Sequence, residues 1–194
     1  RDIQDAATVL HGVYERTQRR DGYVSLEVSP FLANDTEGTI DDARRLWKAV
    51  GRENLMIKVP GTDAGAPAIE KLIGEGININ VTLLFSQQAY EKVALAFIAG
   101  LDKYAAAGGH LSRVHSVASF FVSRIDAVVD AQVKSRLKTT TDPDQQALLK
   151  GLLSTVAIAN AKIAYQLYKE LFGSARWKAL AAKGAQTQRL LWAS

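Results

Sequence analysis

Apolar and polar positions along this chain switch repeatedly between a period of about 3.6 residues and a period of two. Ile3, Ala6, Ala7, Leu10, Val13 and Tyr14 fall on one face, which predicts an amphipathic helix over residues 1–20. Residues 22–29 then alternate, with Val24, Leu26 and Val28 against Tyr23, Ser25, Glu27 and Ser29, and the run stops at Pro30. A second helix is expected over 39–50, with Thr39 as its N-cap ahead of Asp41 and Asp42. Leu55-Met56-Ile57-Lys58-Val59-Pro60 has the length and composition of a short strand, and a helix over 64–75 ends near Gly76. Residues 77–85 alternate strictly, placing Ile77, Ile79, Val81 and Leu83 opposite Asn78, Asn80 and Thr82. Ser86 suits the N-cap of a helix running to about Ala107, where Gly108-Gly109 ends it.

The second half continues the alternation. A strand is expected over 114–122 and a helix over 126–137, and Lys138 to Asp144 has loop composition. One long helix is expected over 145–172, with core packing along the apolar periodicity of 147–168. A shorter helix follows over 175–183, and a last strand over 187–193. Strands separated by helices imply parallel pairing through crossover connections, hence an α/β fold. The rhythm suits both an eightfold barrel, at about 31 residues per βα unit, and an open doubly wound sheet. Five parallel strands cannot close an eight-stranded barrel. The expectation is therefore either an open five-stranded domain or part of a larger barrel.

Composition narrows the function classes. The chain has no cysteine, which removes disulfides and thiolate metal sites. No run of about 18 apolar residues suggests a membrane span. Residues Arg1 to Asp5 are too polar for a signal peptide, so a cytoplasmic location is the default expectation. The net charge of +4 arises from scattered cations, and the densest groups, Arg16, Arg19 and Arg20 and then Lys134, Arg136 and Lys138, lie near predicted helix C-termini. That distribution argues for no nucleic-acid partner and suits an anionic small molecule.

The chemical anomaly is Lys58, a cation inside a strand expected to be covered on both faces. Alternation puts Leu55, Ile57 and Val59 on one face and Met56 and Lys58 on the other. With the first face toward the helices, Lys58 points inward near the C-terminal end of its strand, where barrel enzymes carry their catalytic groups. A lysine desolvated there loses basicity and becomes an amine nucleophile suited to a ketose carbonyl. The structural alternative is a lysine paired with a carboxylate or extending its ammonium to solvent at a strand end. Glu27, Asn80, Thr82 and Ser119 occupy corresponding places on neighbouring strands, and a purely structural barrel interior would favour Val, Ile and Leu there. His11, His110 and His115 show no metal-ligand spacing, and Trp47, Trp177 and Trp192 are expected to be packing residues.

At this point the chain resembles the transaldolase family. The segments that carry the resemblance are Asn-Leu-Met-Ile-Lys-Val-Pro-Gly-Thr (54–62), Gly-Ile-Asn-Ile-Asn-Val-Thr-Leu-Leu-Phe-Ser (76–86) and Val-Ala-Ser-Phe-Phe-Val-Ser-Arg-Ile-Asp (117–126). Ser-Leu-Glu-Val-Ser-Pro (25–30) and Ala-Ile-Ala-Asn-Ala-Lys (157–162) are similar too. Order and spacing hold over essentially the whole chain, closest to the bacterial branch that includes transaldolase fused to glucose-6-phosphate isomerase.

The resemblance implies a (β/α)₈ barrel of class I aldolase type, with the third to seventh of its eight strands within residues 1–194. It implies transfer of a dihydroxyacetone unit from a ketose phosphate to an aldose phosphate in the non-oxidative pentose phosphate pathway, through a lysine Schiff base and without cofactor or metal. Lys58 would be the Schiff-base lysine, with Glu27 and Thr82 catalytic beside it. Asn80, Ser119, Phe121, Arg124 and Ser194 would bind substrate, Arg124 through its phosphate, and Arg124 could instead form an ion pair with Asp126. Phosphorylated sugars are the expected partners, together with a homodimer and a fused isomerase domain in the longer protein. The family's first-strand aspartate and last strand are not found in these residues, so residues 1–194 alone are expected to have little transferase activity. A fructose 6-phosphate aldolase, a non-catalytic barrel fragment and an open-sheet nucleotide-binding domain are the alternatives.

Overall fold

A computed structural model describes residues 1–194. Its five strands, β1 (Val24–Glu27), β2 (Leu55–Pro60), β3 (Ile79–Leu84), β4 (Ser116–Phe121) and β5 (Arg189–Ala193), form one sheet in which every pairing is parallel. The spatial order is β1-β2-β3-β4-β5, so each strand lies beside its neighbour in sequence. A doubly wound sheet reverses its strand order at a switch point. This sheet does not reverse, and it is wound in one direction like a consecutive part of a (β/α)₈ barrel.

Eight α-helices connect and flank the strands: α1 (Asp2–Arg16), α2 (Thr36–Val50), α3 (Gly65–Ile73), α4 (Gln87–Ala106), α5 (Ser123–Leu137), α6 (Pro143–Leu152), α7 (Val156–Leu171) and α8 (Ala175–Ala181). The core lies between α2 to α4 and one face of the sheet, where Leu55, Ile57, Val59, Ile79 and Val81 meet Ile69, Leu72 and Phe97, all fully buried. The face that carries Met56 and Lys58 is the opposite one, as alternation predicts. Each fully buried large aliphatic side chain contributes on the order of 1.5–3 kcal/mol.

The N-terminal ends of the strands are joined by buried amides. Asn54 Nδ2 donates to the Ala7 and Gly22 carbonyls, each at 2.8 Å, tying α1 and the approach to β1 onto β2. Asn78 Nδ2 donates to the Glu53 and Leu55 carbonyls at 3.0 and 3.1 Å, while its Oδ1 accepts from the His115 amide at 2.9 Å. Asn78, expected on a chemically active face, therefore serves the ladder. His115 lies at this end too, its Nε2 against the Ser112 carbonyl at 3.2 Å, and burial holds its ring below the usual imidazole range.

Several expectations are corrected. The second helix starts at Thr36 rather than Thr39, because the Asp35 carboxylate accepts from the Gly38 amide at 3.0 Å and caps it. Thr39 lies inside the helix and donates to the Leu32 carbonyl. The first helix ends at Arg16, since Gln18 and Arg19 take positive φ. The long helix expected over 145–172 is two helices bent by 57°, with Ser154 at φ 57° in the elbow. That bend splits the apolar stripe: α6 buries no residue, and Leu148, Ile158 and Ile163 remain exposed. Trp177 is buried as expected, whereas Trp192 is half exposed and meets Phe120 edge-on at 6.2 Å. No single helix is long and apolar enough to cross a membrane.

Two glycines in helices should respond oppositely to alanine. A Cβ at Gly65 would overlap the Pro60 carbonyl oxygen at the end of β2, whereas a Cβ at Gly151 would meet nothing within 4 Å. Gly65→Ala should destabilise the intact protein by about 1–3 kcal/mol. Gly151→Ala should stabilise it by about 0.5–1 kcal/mol. Thermal midpoints of the two variants beside wild type check both signs.

Candidate active site

The register of the sheet aligns the chemistry. Glu27 pairs with Lys58 across β1 and β2, and Lys58 pairs with Asn80 across β2 and β3. Parallel strands in register point such residues to one face at one height, so three residues distant in sequence form a single row. Lys58 Nζ lies 3.4 Å from Glu27 Oε2, with the two side chains 31% and 43% exposed. The lysine is thus neither sealed in the core nor free in solvent. It carries a carboxylate partner at an open strand end, which meets the pairing alternative and the inward orientation together.

Asn80 joins the row to the next strands. Its Nδ2 donates to Ser25 Oγ at 3.0 Å, and its Oδ1 accepts from Ser119 Oγ at 2.9 Å. One amide therefore spans from β1 to β4, with donor and acceptor both used on the protein. Those two hydrogen bonds fix the amide's orientation, and the register places Asn80 beside Lys58. Ser25 completes the network from β1.

Thr82 follows two residues on. Its hydroxyl is buried and has no hydrogen-bond partner among the protein's groups. A buried hydroxyl is normally bonded, so this one has a bonding capacity that the protein leaves unmet. The backbone just beyond departs from the expected alternation. Leu83 takes φ 61°, the β3–β4 register shifts between Val81 and Leu84, and Leu84 rather than Leu83 enters the core. This bulge leaves Leu83 40% exposed, and Thr82 and the core-facing Leu84 keep their places on either side of it.

Aromatic and basic groups form the rim. Phe121 ends β4 and is buried. Its ring stacks on Phe85 with centroids 5.1 Å apart and planes at 24°. Arg124 lies over the Phe121 ring, its Cζ 4.4 Å from the centroid. The ion pair with Asp126 does not form, because Asp126 Oδ1 instead accepts from the Ala157 amide at 3.0 Å. The Arg124 guanidinium, exposed and planar, keeps its donors available to an anion. Ser194 Oγ lies 2.9 Å from Ser123 Oγ, so it sits beside the start of α5 at the same end of the sheet.

Of the eight predicted site residues, Glu27, Lys58, Thr82, Ser119, Phe121, Arg124 and Ser194 lie in the C-terminal half of their strands or just beyond, while Asn80 is the second residue of β3 and stands level with Lys58. Two further contributors were not singled out by the sequence. Ser25 carried a signal, its place on the polar face of β1, while Phe85 reads as an ordinary apolar residue of β3. No group of three or more His, Asp or Glu side chains is arranged to hold a metal ion. The arrangement offers an amine beside a carboxylate, a fixed amide, an unpaired buried hydroxyl and a free guanidinium. That set suits addition to a carbonyl of a polar, anionic substrate.

Comparison with known proteins bears on the same residues. A "Transaldolase" of Trichodesmium erythraeum is 55% identical over 194 residues, covering 100% of this chain and 51% of that protein. A "Transaldolase 2" of a Nostoc species is 54% identical over 194 residues, again covering 100% of this chain and 51% of that protein. A "Transaldolase" of Thermobifida fusca is 53% identical over 193 residues, covering 100% and 50%. The chain thus spans about half the length of the curated relatives it matches. The sequence model of the family described as Transaldolase/Fructose-6-phosphate aldolase matches residues 1–191, and with the singly wound parallel sheet and the strand-end lysine this chain belongs to that family.

Proposed function

We propose that the protein is a transaldolase, which transfers a dihydroxyacetone unit from sedoheptulose 7-phosphate or fructose 6-phosphate to an aldose phosphate. The observation that carries this reading is the Lys58–Glu27 pair, 3.4 Å apart in register toward the C-terminal ends of adjacent parallel strands. Lys58 passes a proton to Glu27, and the neutral Nζ then adds to the ketone carbon and forms a carbinolamine. The carbon–oxygen bond then breaks, and the oxygen leaves as water with a proton delivered from Glu27 directly or through one water. The product is an iminium that can hold the dihydroxyacetone unit while the rest of the sugar exchanges. Addition of water reverses these steps and frees Lys58.

The surrounding groups have roles that follow from their contacts. Thr82, with its unpaired hydroxyl, would hold the water that leaves and returns. Asn80 and Ser119 would orient substrate hydroxyls beside the imine, and Ser194 would contact substrate at the rim. Phe121 would form the apolar wall and carry Arg124, whose fork would bind the substrate phosphate. The same reading makes residues 1–194 the third to seventh strands of an eight-stranded barrel working in the cytoplasm. The homodimer and the fused glucose-6-phosphate isomerase domain are proposals of this reading, and the mass of the intact protein in solution decides both.

Borohydride reduction of the intact protein with fructose 6-phosphate should fix a covalent adduct on the peptide that contains Lys58. An unmodified Lys58 in a folded protein would refute the reading. Thr82→Val removes a hydroxyl without breaking any protein hydrogen bond, so its thermal midpoint should match wild type while turnover falls at least about tenfold, the low end for a group that positions a proton carrier. Arg124→Ala should raise KM for fructose 6-phosphate by about 10–100-fold, the equivalent of one charge-assisted hydrogen bond of roughly 1.5–3 kcal/mol. Steady-state kinetics with and without an aldose phosphate acceptor separate transfer from simple aldol cleavage.

A further inference from the structure

The helix that carries Arg124 has little hold on the core. Of the fifteen residues of α5 only Val133 is buried, and α6 after it buries none. A helix placed by packing alone would need an apolar stripe, which α5 lacks. Its position at the rim is instead tied by carboxylates. Asp126 Oδ1 accepts from the Ala157 amide at 3.0 Å, taking the place of an N-cap on α7, whose own Thr155 makes no capping bond. One turn on, Asp130 accepts from the Ser154 amide at 2.9 Å and from its hydroxyl at 3.1 Å, holding the positive-φ elbow where α7 begins.

The other end of this tie reaches the sheet. Asn160 on α7 donates from Nδ2 to the Phe85 carbonyl at 2.9 Å, and Gln87 Nε2 donates to Asn160 Oδ1 at 2.8 Å and to its carbonyl at 3.0 Å. Phe85 stacks on Phe121, and Phe121 carries the Arg124 guanidinium. The contacts close a circuit that runs from Arg124 along α5 to Asp126, through α7 to Asn160, then to Phe85, Phe121 and back to Arg124. Each link is a hydrogen bond, a ring stack or a length of helix, so no member shifts without straining the next.

We infer that Asp126 and Asn160 are positioning residues for phosphate recognition, fixing the Arg124 guanidinium through α7 and the Phe85–Phe121 stack. The inference rests on the reading of Arg124 as the phosphate-binding group. Both side chains lie on helices outside the Lys58 row, so their loss should affect the phosphate end of the substrate and spare the imine chemistry at Lys58.

The test compares fructose 6-phosphate with fructose in the intact protein. Asp126→Ala and Asn160→Asp should each raise KM for fructose 6-phosphate about fivefold to twentyfold. The kcat with fructose 6-phosphate and the rate of borohydride trapping with fructose should stay within about twofold of wild type. Asp126→Asn keeps an oxygen acceptor for the Ala157 amide and should restore most of the affinity. Phe85→Leu breaks the stack but leaves the backbone carbonyl for Asn160, so it tests the circuit even where a polar variant fails to fold. A wild-type enzyme indifferent to the phosphate overturns the reading of Arg124 and the inference with it. A discriminating wild type whose folded variants keep their KM, or lose kcat equally on both substrates, overturns the inference alone.

Discussion

A parallel sheet with polar side chains on one face must satisfy them, because each unpaired buried polar group costs about 1–3 kcal/mol. Here the register places Glu27, Lys58 and Asn80 in one row, and the row is satisfied by an ion pair and by an amide bonded to Ser25 and Ser119. The same bonds that satisfy the row also aim it. Asn80 cannot rotate without breaking two hydrogen bonds, and Lys58, its register partner, is paired with the Glu27 carboxylate. Beside this row Thr82 has a buried hydroxyl with no protein partner, a state it shares with Asn54 Oδ1, Tyr90 OH and Gln188 Oε1 elsewhere in the fold. The bonds that stabilise the sheet and the hydroxyl they leave unbonded therefore share one face.

The two ends of the strands divide this work. At the N-terminal ends Asn54 and Asn78 bind backbone carbonyls across three or four elements, and their side chains are buried. Further along the strands the side chains bind one another, and Lys58 and Glu27 stay partly open while Asn80, Thr82 and Ser119 are buried. Conversely, α2 to α4 are fixed by a closely packed core, whereas α5 is held mainly by its aspartates. Apolar packing resists small displacements in every direction. Hydrogen bonds at helix ends set direction and register instead, which is the quality a recognition group needs.

How much of this was legible in the sequence depends on whether the signal was local. The face of Lys58 was legible because β2 runs without a bulge, and simple alternation then holds from Leu55 to Pro60. Leu83 was misplaced because the bulge at that residue depends on how β3 meets β4, which no local period encodes. The break between α6 and α7 escaped notice because apolar spacing continues across it, and only the tie from Asp130 to Ser154 reveals the elbow. Thr39 and Asp35 are both cap-forming residue types, and only the bond from the Gly38 amide to the Asp35 carboxylate decides between them. Lys58, Glu27, Asn80 and Ser119 were found as anomalies of residue type, whereas Phe85, Asp126 and Asn160 have ordinary types and matter only through their contacts.

The bulge at Leu83 has a consequence for how this protein can change. A bulky residue in the left-handed region carries a conformational cost of about 1–2 kcal/mol. In return, one extra residue lies between Thr82, which shares the face of Lys58 and Asn80, and Leu84, which anchors the strand in the core. The connection that follows at Phe85 and Ser86 is thereby uncoupled from the pleat that aims Thr82. Loops beyond this point can lengthen, shorten or exchange sequence while the reactive face keeps its alignment, so new specificity can arise at the rim without rebuilding the chemistry beneath it.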